Sequence, residues 1–376
     1  MNVLVVNTGG VTLDLTNVDD DGRTVAHRQI DPWDGHDTAP IGEFLDHTTT
    51  VDAVGHRVVH GGNTLSKPTI INERVEGIIE AAAPLAPLHQ QRALLGIRAA
   101  RTLLPDAVHV ACFDTEFHTT IPDPAATYPI PAEWRERWPL RRAGFHGLSH
   151  RHVANVVATI TGGDARRIVS CHLGSGASLC AIADGRSVDT TMGMTPLEGL
   201  MMVNRSGSVD PGLLLWLLQH GGLTPNELAD GLYREGGLKG VAGGSGDMRD
   251  IIARADTGDA AARLAFDMYI HRLRREIAAM TAALGGIDVL AFTGGVGEHM
   301  PAVRAATADG LGYLGLVIDP DRNQRARGDA DHQISTPASP ARCVVVATGE
   351  HIEIAAATRT LLHRDQQHPS TIGVPP

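Results

Sequence analysis

The chain has 376 residues, 43% hydrophobic and 20% charged, the balance of a soluble globular protein and more chain than one ordinary core holds, so two domains are expected. A formal charge of −11 with no Lys/Arg cluster weighs against nucleic acid and anionic membranes as partners, and no apolar run is long enough to span a bilayer. The opening MNVLVVNTGG has no basic region ahead of a long apolar stretch, so no signal peptide is expected, and the four cysteines form no CxxC pair, which predicts reduced core thiols in a cytoplasmic protein.

In chain order, VLVVNTGG predicts a strand entering a Gly-rich tight turn. VTLDLTNV follows as a second strand, Asp19-Asp20-Asp21-Gly22 as a hairpin turn, and RTVAHRQI as a third strand. VDAVGHRVVHGG, from Val51, reads as a buried strand ending in glycines. Residues 81–104 carry a helical apolar pattern interrupted at APLAPLH, and AVHVACFDT is a buried strand closed by Asp114-Thr115. In mid-chain the opening pattern recurs: RRIVSCHLGSG, then ASLCAIA, then Asp184-Gly185, then RSVDTT. Residues 260–284 form a long amphipathic helix with Leu264, Met268, Ile277 and Met280 expected on one face. IDVLAFTGGVGEH, from Ile287, echoes VDAVGHRVVHGG, and the polar, Pro-bearing stretch 363–376 is expected to be disordered.

Strands alternating with helices give an α/β class. Two copies of one hairpin-led unit imply two similar lobes with a cleft between them. The Asp-Gly dipeptides supply the positive-φ positions a tight hairpin needs. The Gly-rich turns can present backbone N–H groups as anion-binding nests, so a polyphosphate could be gripped from both sides. GGVG after a strand could suggest a dinucleotide fold, but it lacks the full glycine fingerprint and its βαβ setting.

Nine stretches then carry a resemblance: GHRVVHGG (from Gly55), APLH (Ala86), FDTEFHTTIP (Phe113), RRAGFHGLSHR (Arg141), CHLGSGAS (Cys171), SVDTTMGMTPLEGLMM (Ser187), RSGSVDP (Arg205), DMRDI (Asp247) and FTGGVGEH (Phe292). In these motifs and their order the chain resembles the acetate kinase family from Val3 to about Leu361; propionate and butyrate kinases share much of the pattern. The resemblance implies the duplicated two-lobe fold of the acetate and sugar kinase/Hsp70/actin superfamily, with ATP in the cleft. Residues 1–116, completed by 353–376, would form the N-terminal lobe; residues 117–352 would form the C-terminal lobe, with nucleotide binding and a homodimer interface. The implied reaction moves the ATP γ-phosphoryl reversibly to acetate, giving acetyl phosphate and ADP.

A carboxylate is ionised at neutral pH and needs no general base; the difficulty is an anion approaching a polyanion, so cations and fixed donors are required. Arg57 and Arg205 match the family's paired arginines, and each can hold two oxygens in a fork. His146 matches the histidine that donates to the phosphoryl oxygens, and Asp114 an essential aspartate, to which orientation of Arg57 or of a magnesium-bound water is assigned. Glu350 and Asn7 match the residues linked to Mg²⁺, with Mn²⁺ a substitute; one or two protein oxygens suffice because Mg²⁺ keeps several waters. By the same resemblance ATP lies along His172, Leu173, Gly174, Ser175 and Gly176, along Asp247, Met248 and Arg249, along Gly295, Val296, Gly297, Glu298 and His299, and near Thr12. Val59, Leu88, Phe145 and Pro196 would form the acyl pocket.

The chain departs from the family pattern in three motifs and in a shorter segment between the first hairpin and GHRVV. The first phosphate loop, usually N-x-G-S-S-S-L-K, reads Asn7-Thr8-Gly9-Gly10-Val11-Thr12-Leu13-Asp14, so a lysine has become Asp14. Ser175 stands for the usual asparagine, and PLHNP has become Pro87-Leu88-His89-Gln90-Gln91. Asp14 is expected to share a strand face with Thr12 and to weaken ATP binding. A kinase for another acid, one using another donor such as pyrophosphate, and a non-catalytic nucleotide-binding paralogue are the alternatives.

Overall fold

The structure is a computed structural model that describes residues 1–9, 12–48, 50–328 and 330–367. The chain divides into two compact units. The first comprises Met1–Thr119, His146–Leu148 and the described residues from Gly349 onward; the second comprises Thr120–Phe145 and Ser149–Thr348.

The first unit is built on strands β1 (Val3–Thr8), β2 (Leu13–Val18), β3 (Thr24–Ile30), β4 (Ala53–Val58), β5 (Thr69–Ile70) and β6 (Val108–Phe113), in the spatial order β3-β2-β1-β4-β6-β5. The second holds β7 (Arg167–Leu173), β8 (Ala177–Ala183), β9 (Arg186–Thr190), β10 (Val289–Thr293), β11 (His332–Gln333) and β12 (Arg342–Val345), in the order β11-β12-β10-β7-β8-β9. The repeat is thus real in three dimensions. In each sheet a three-stranded antiparallel meander continues into two further parallel strands: β1 pairs β4 and β4 pairs β6, as β7 pairs β10 and β10 pairs β12. The echo between VDAVGHRVVHGG and IDVLAFTGGVGEH therefore marks β4 and β10, which hold equivalent places. Asp184 (φ 48°) and Gly185 (φ 75°) both take positive φ in the β8–β9 hairpin, and Gly22 (φ 81°) does so between β2 and β3.

Alternation along β1 sends Val3 and Val5 to one face and Leu4 and Val6 to the other, and both faces are covered. Ile354, Ala355 and Leu362 of the helix Glu350–Gln367 pack on the Val3/Val5 face, while Trp33, Ile41, Phe44 and Ala100 cover the other. Gly55 permits this close packing, since a Cβ on it would press against Ile354 Cγ2 and Thr358 Oγ1.

Two expectations change, and a third holds. The helix Glu350–Gln367 takes in the first part of the stretch expected to be disordered; residues 368–376 of that stretch lie outside the described residues. The interruption expected at APLAPLH is present: a helix Glu73–Ala81 gives way to a 3₁₀ turn Ala83–Leu85 at Pro84 and Pro87 before the helix Gln90–Leu103. The helix Ala260–Leu284 has the expected bounds and buries Ile277 and Met280, but Leu264 is 54% exposed. The buried stripe runs instead through Ala262, Ala265, Tyr269, Leu273 and Ile277, since the small Ala262 and Ala265 let the helix approach closely.

Candidate active site

Strand register assembles one cluster of the expected residues in the first unit. Asn7 stands directly opposite Asp14 across the β1–β2 pair, so both side chains project from one face. That face is the one carrying Val3, Val5 and Val18, against which the helix beginning at Glu350 packs. Arg57 on β4 lies on the same face, two residues beyond Gly55, and its Nη1 donates to Asn7 Oδ1 at 3.3 Å. Asp114 follows the last residue of β6, and its backbone N–H donates to Val58 O. Asp14, Asn7, Arg57 and Asp114 therefore form a row across four neighbouring strands, just where β1, β4 and β6 end, the usual ligand edge of a parallel sheet. Thr12 precedes β2; Gly10 and Val11 of the expected phosphate turn lie outside the described residues.

Arg57 and Asp114 form a bidentate pair: Nε donates to Oδ1 at 2.9 Å and Nη2 to Oδ2 at 2.7 Å. The carboxylate is 1% exposed and the guanidinium side chain 17%. Burial disfavours the Arg57 charge, but Asp114 outweighs it, with Glu350 and Asp14 adding to the effect, and Arg57 is held charged well above its ordinary range. With both carboxylate oxygens on Arg57, Asp114 can fix a cation rather than carry a proton. Burial likewise raises the Asp14 carboxyl above its usual value; His27, with Nε2 at 3.5 Å, opposes this, and the negative Glu350 adds to it. Asp14 thus faces the same polar edge as Arg57 and Glu350, as its strand parity predicts.

His146 is brought to this edge by an unusual backbone. It has φ 56°, rare for a non-glycine residue, and the next residue, Gly147, donates its N–H to Asp114 O at 2.8 Å. A Cβ on Gly147 would collide with the Asp114 carbonyl, so glycine is required there. Strain at this position is of the kind found at functional sites. His150, one helical turn on, is committed elsewhere, its ring nitrogens lying 2.8 and 2.9 Å from Ser170 and Ser178 Oγ.

Arg205 belongs to the second unit and is 4% exposed. Nη1 donates to Pro196 O at 2.8 Å, while Nε is buried with no partner. Burial pulls its pKa down to about 10, so it stays protonated at neutral pH, as a desolvated cation with no protein carboxylate in reach among the described residues. A buried donor without an acceptor is costly, and an anionic ligand would satisfy it.

The expected nucleotide segments all lie in the second unit. His172, with Nδ1 2.8 Å from Ser149 Oγ, and Leu173 close β7, and the chain leads through Gly174 and the exposed Ser175 to Gly176. Asp247 caps the helix Met248–Asp256 and holds the exposed Arg249 at 2.7 Å. Gly295, Val296 and Gly297 lie in the short helix Gly294–His299 after β10, where Gly295 and His299 are exposed. Glu298 differs from its segment: it is 3% exposed, and Oε1 accepts from Gly294 N, Thr348 N and Thr348 Oγ1 at 2.8–3.1 Å. Its carboxylate braces its own chain, with burial raising its pKa. Beneath it the fully buried Arg304 donates to the carbonyls of Gly297 and Glu298. Val59 (6% exposed) and the half-buried Leu88 belong to the first unit, Phe145 (1%) and the buried Pro196 to the second.

The oxygen donors Asn7, Asp14 and Glu350 are hard ligands of the kind Mg²⁺ accepts, and no group of three His, Cys, Asp or Glu residues among the described residues could enclose a metal. That donor set fits an ion completed by water and phosphate oxygens and does not fit a closed zinc site. Gln90, marked in the sequence only as a departure from its motif, is fully buried and ties the segment after β4 to the helix Glu73–Ala81 by accepting from His60 N at 3.2 Å and donating to Ile79 O at 3.0 Å. Sequence reading missed Tyr128, Arg142 and Glu198; the last two sit inside matched motifs, and nothing local marks Tyr128.

Comparison with known proteins matches residues 40–356 to the Acetokinase family. The acetate kinase of Synechococcus sp. (strain JA-2-3B'a(2-13)) is 48% identical over 332 residues, covering 88% of this chain and 80% of that protein. The crystal structure of Porphyromonas gingivalis acetate kinase superposes with a TM-score of 0.86 at 35% identity, covering 96% of this chain and 99% of that one. A propionate kinase from Francisella tularensis subsp. tularensis SCHU S4 gives the same TM-score at 32% identity, over 95% and 98% of the two chains.

Proposed function

The chain belongs to the Acetokinase family, and from that premise we propose that it transfers the γ-phosphoryl group of ATP to acetate, reversibly, to give acetyl phosphate and ADP. The observation that carries this reading is Arg205: a buried guanidinium that has, among the described residues, no partner for Nε and no protein counter-ion is prepared for an anionic oxygen. The acetate carboxylate attacks as it stands, so no base is required. Arg57 and Arg205 neutralise the carboxylate and the phosphoryl oxygens, whose mutual repulsion is the main barrier. Asp114 holds Arg57 in its fork, and His146 donates to the phosphoryl oxygens.

Asn7 and Glu350 would hold Mg²⁺, or Mn²⁺ in its place, and the ion would supply charge neutralisation at the phosphates when bound. ATP would lie along the 172–176, 247–249 and 295–299 segments, of which Ser175, Arg249, Gly295 and His299 are exposed enough to reach a ligand. Val59, Leu88, Phe145 and Pro196 would enclose the methyl group, and residues 1–116 with 353–376 would act as one lobe and 117–352 as the other. A homodimer is supported by the helix Pro211–Gln219, which leaves Leu213, Leu215 and Trp216 about half exposed. The four free, buried cysteines favour a cytoplasmic location.

Asp14 favours a second reading, in which the donor or the acid differs, because it places a negative charge on the phosphate edge. An acyl-hydroxamate assay over several acids and donors separates them. Product from acetate and ATP supports the first reading, product only with another acid or with pyrophosphate supports the second, and ATP binding without product refutes both.

A further inference from the structure

A compact polar network in the second unit makes no contact that the chemistry above uses. Glu198 Oε2 accepts from Tyr128 Oη at 2.7 Å, and Oε1 accepts from Arg142 Nη2 at 2.9 Å. Tyr128 Oη also accepts from Met194 N at 2.9 Å, and the Arg142 guanidinium lies 5.7 Å from the Tyr128 ring centre. Arg142 donates further to Thr191 O and Ala125 O, both at 3.3 Å. Gly193 lies at the crossing point: a side chain there would collide with both Glu198 Oε2 and Tyr128 Oη. The Gly193 carbonyl in turn accepts from Ala143 N at 3.0 Å and Gly144 N at 3.1 Å.

The network grips two segments at once. One is 143–145, which ends in Phe145. The other is 193–198, whose Pro196 carbonyl is the only acceptor found for Arg205 among the described residues. Met194 and Glu198, the two residues held by Tyr128, flank Pro196 on either side, so the carbonyl that orients Arg205 is fixed at both ends. We propose that Tyr128, Glu198 and Arg142 are positioning residues that set Phe145, Pro196 and Arg205 relative to one another and so determine which acids are accepted. This rests on the reading that those three residues meet the acid. Shape selection by an apolar wall is weak unless the wall is held, since one methylene discriminates only modestly. A loop held by three hydrogen bonds through a single carboxylate–phenol–guanidinium cluster supplies that rigidity.

The test is Tyr128→Phe, which deletes one hydroxyl and keeps the ring, assayed on the full-length enzyme with ATP and with acetate, propionate and butyrate. Losing two hydrogen bonds to the loop should raise KM for acetate about five- to tenfold and lower the acetate-over-propionate preference by a similar factor, with KM for ATP unchanged. Glu198→Gln, which retains an acceptor, should lie between wild type and Tyr128→Phe. A lower thermal midpoint with KM for acetate and acid preference unaltered would overturn the proposal and leave the network a purely structural brace. So would equal changes in KM for acetate and ATP. Failure of the underlying reading shows separately: a wild-type enzyme that phosphorylates none of the acids overturns both, whereas an active wild type with an unmoved preference in Tyr128→Phe overturns the network alone.

Discussion

Asp114→Asn removes one charge from the Arg57 pair with almost no change in shape. Two charge-assisted contacts, at 2.9 and 2.7 Å, are lost or weakened around a carboxylate that is 1% exposed. Breaking a buried pair costs about 3–5 kcal/mol, and the partial exposure of Arg57 places the loss near 3 kcal/mol. The larger effect should be on turnover. A guanidinium freed to rotate no longer meets the phosphoryl oxygens in its fork, and misplacement by an ångström lowers kcat by about a hundredfold. The assay is acetyl phosphate formation at saturating ATP and Mg²⁺ by Asp114→Asn, Arg57→Ala and the double variant, each checked for folding by circular dichroism. If Asp114 acts only through Arg57, the double variant is no slower than Arg57→Ala alone, because the two residues work as one unit. Losses that multiply in the double variant would refute this and give Asp114 a role of its own, such as proton transfer.

Four further outcomes follow. Glu350→Ala should be nearly inactive, with its residual rate demanding far more Mg²⁺; an unchanged metal requirement would return Glu350 to a structural role. Asp14→Lys should lower KM for ATP several-fold with KM for acetate unchanged, and the gain should shrink as salt rises; an unaltered ATP dependence would mean that the phosphates lie away from β2. Arg304→Met should raise KM for ATP by loosening the carbonyls of Gly297 and Glu298, a shift that equilibrium nucleotide binding would reveal. Burial lowers the His60 pKa to about 4, against about 6.5 unfolded, so below pH 6.5 the unfolded chain binds a proton that the native state refuses. Stability should therefore fall by up to about 3 kcal/mol as pH drops from 6.5 to 4, and the urea midpoint of a His60→Asn variant should fall less over the same range.

What could be read in the sequence was what local pattern encodes. The Asp184-Gly185 and Asp21-Gly22 turns announced their hairpins because positive φ leaves a residue signature, and the two meanders revealed the duplication. Asp14 could be placed on the polar edge from strand parity alone, since a period of two admits only two faces. Leu264 was misplaced because four apolar residues at helical spacing do not say which of two adjacent stripes is buried; the small Ala262 and Ala265 decide that through packing. Glu298 was grouped with its glycines by motif, but its partner Thr348 is 50 residues away and leaves no trace beside it. The Tyr128–Glu198–Arg142 cluster was invisible for the same reason, its contacts joining residues 56 and 70 apart.

The central proposal, that the buried Arg205 meets an anionic oxygen in phosphoryl transfer between ATP and acetate, is tested most directly by running the reaction backwards. Acetyl phosphate, ADP and Mg²⁺ are supplied to wild type and to Arg205→Ala, and ATP is followed by luminescence. The account predicts rapid ATP formation by the wild type and a loss of several orders of magnitude in the variant, which should still bind ADP. No ATP from the wild type, or equal rates from the two proteins, would contradict it.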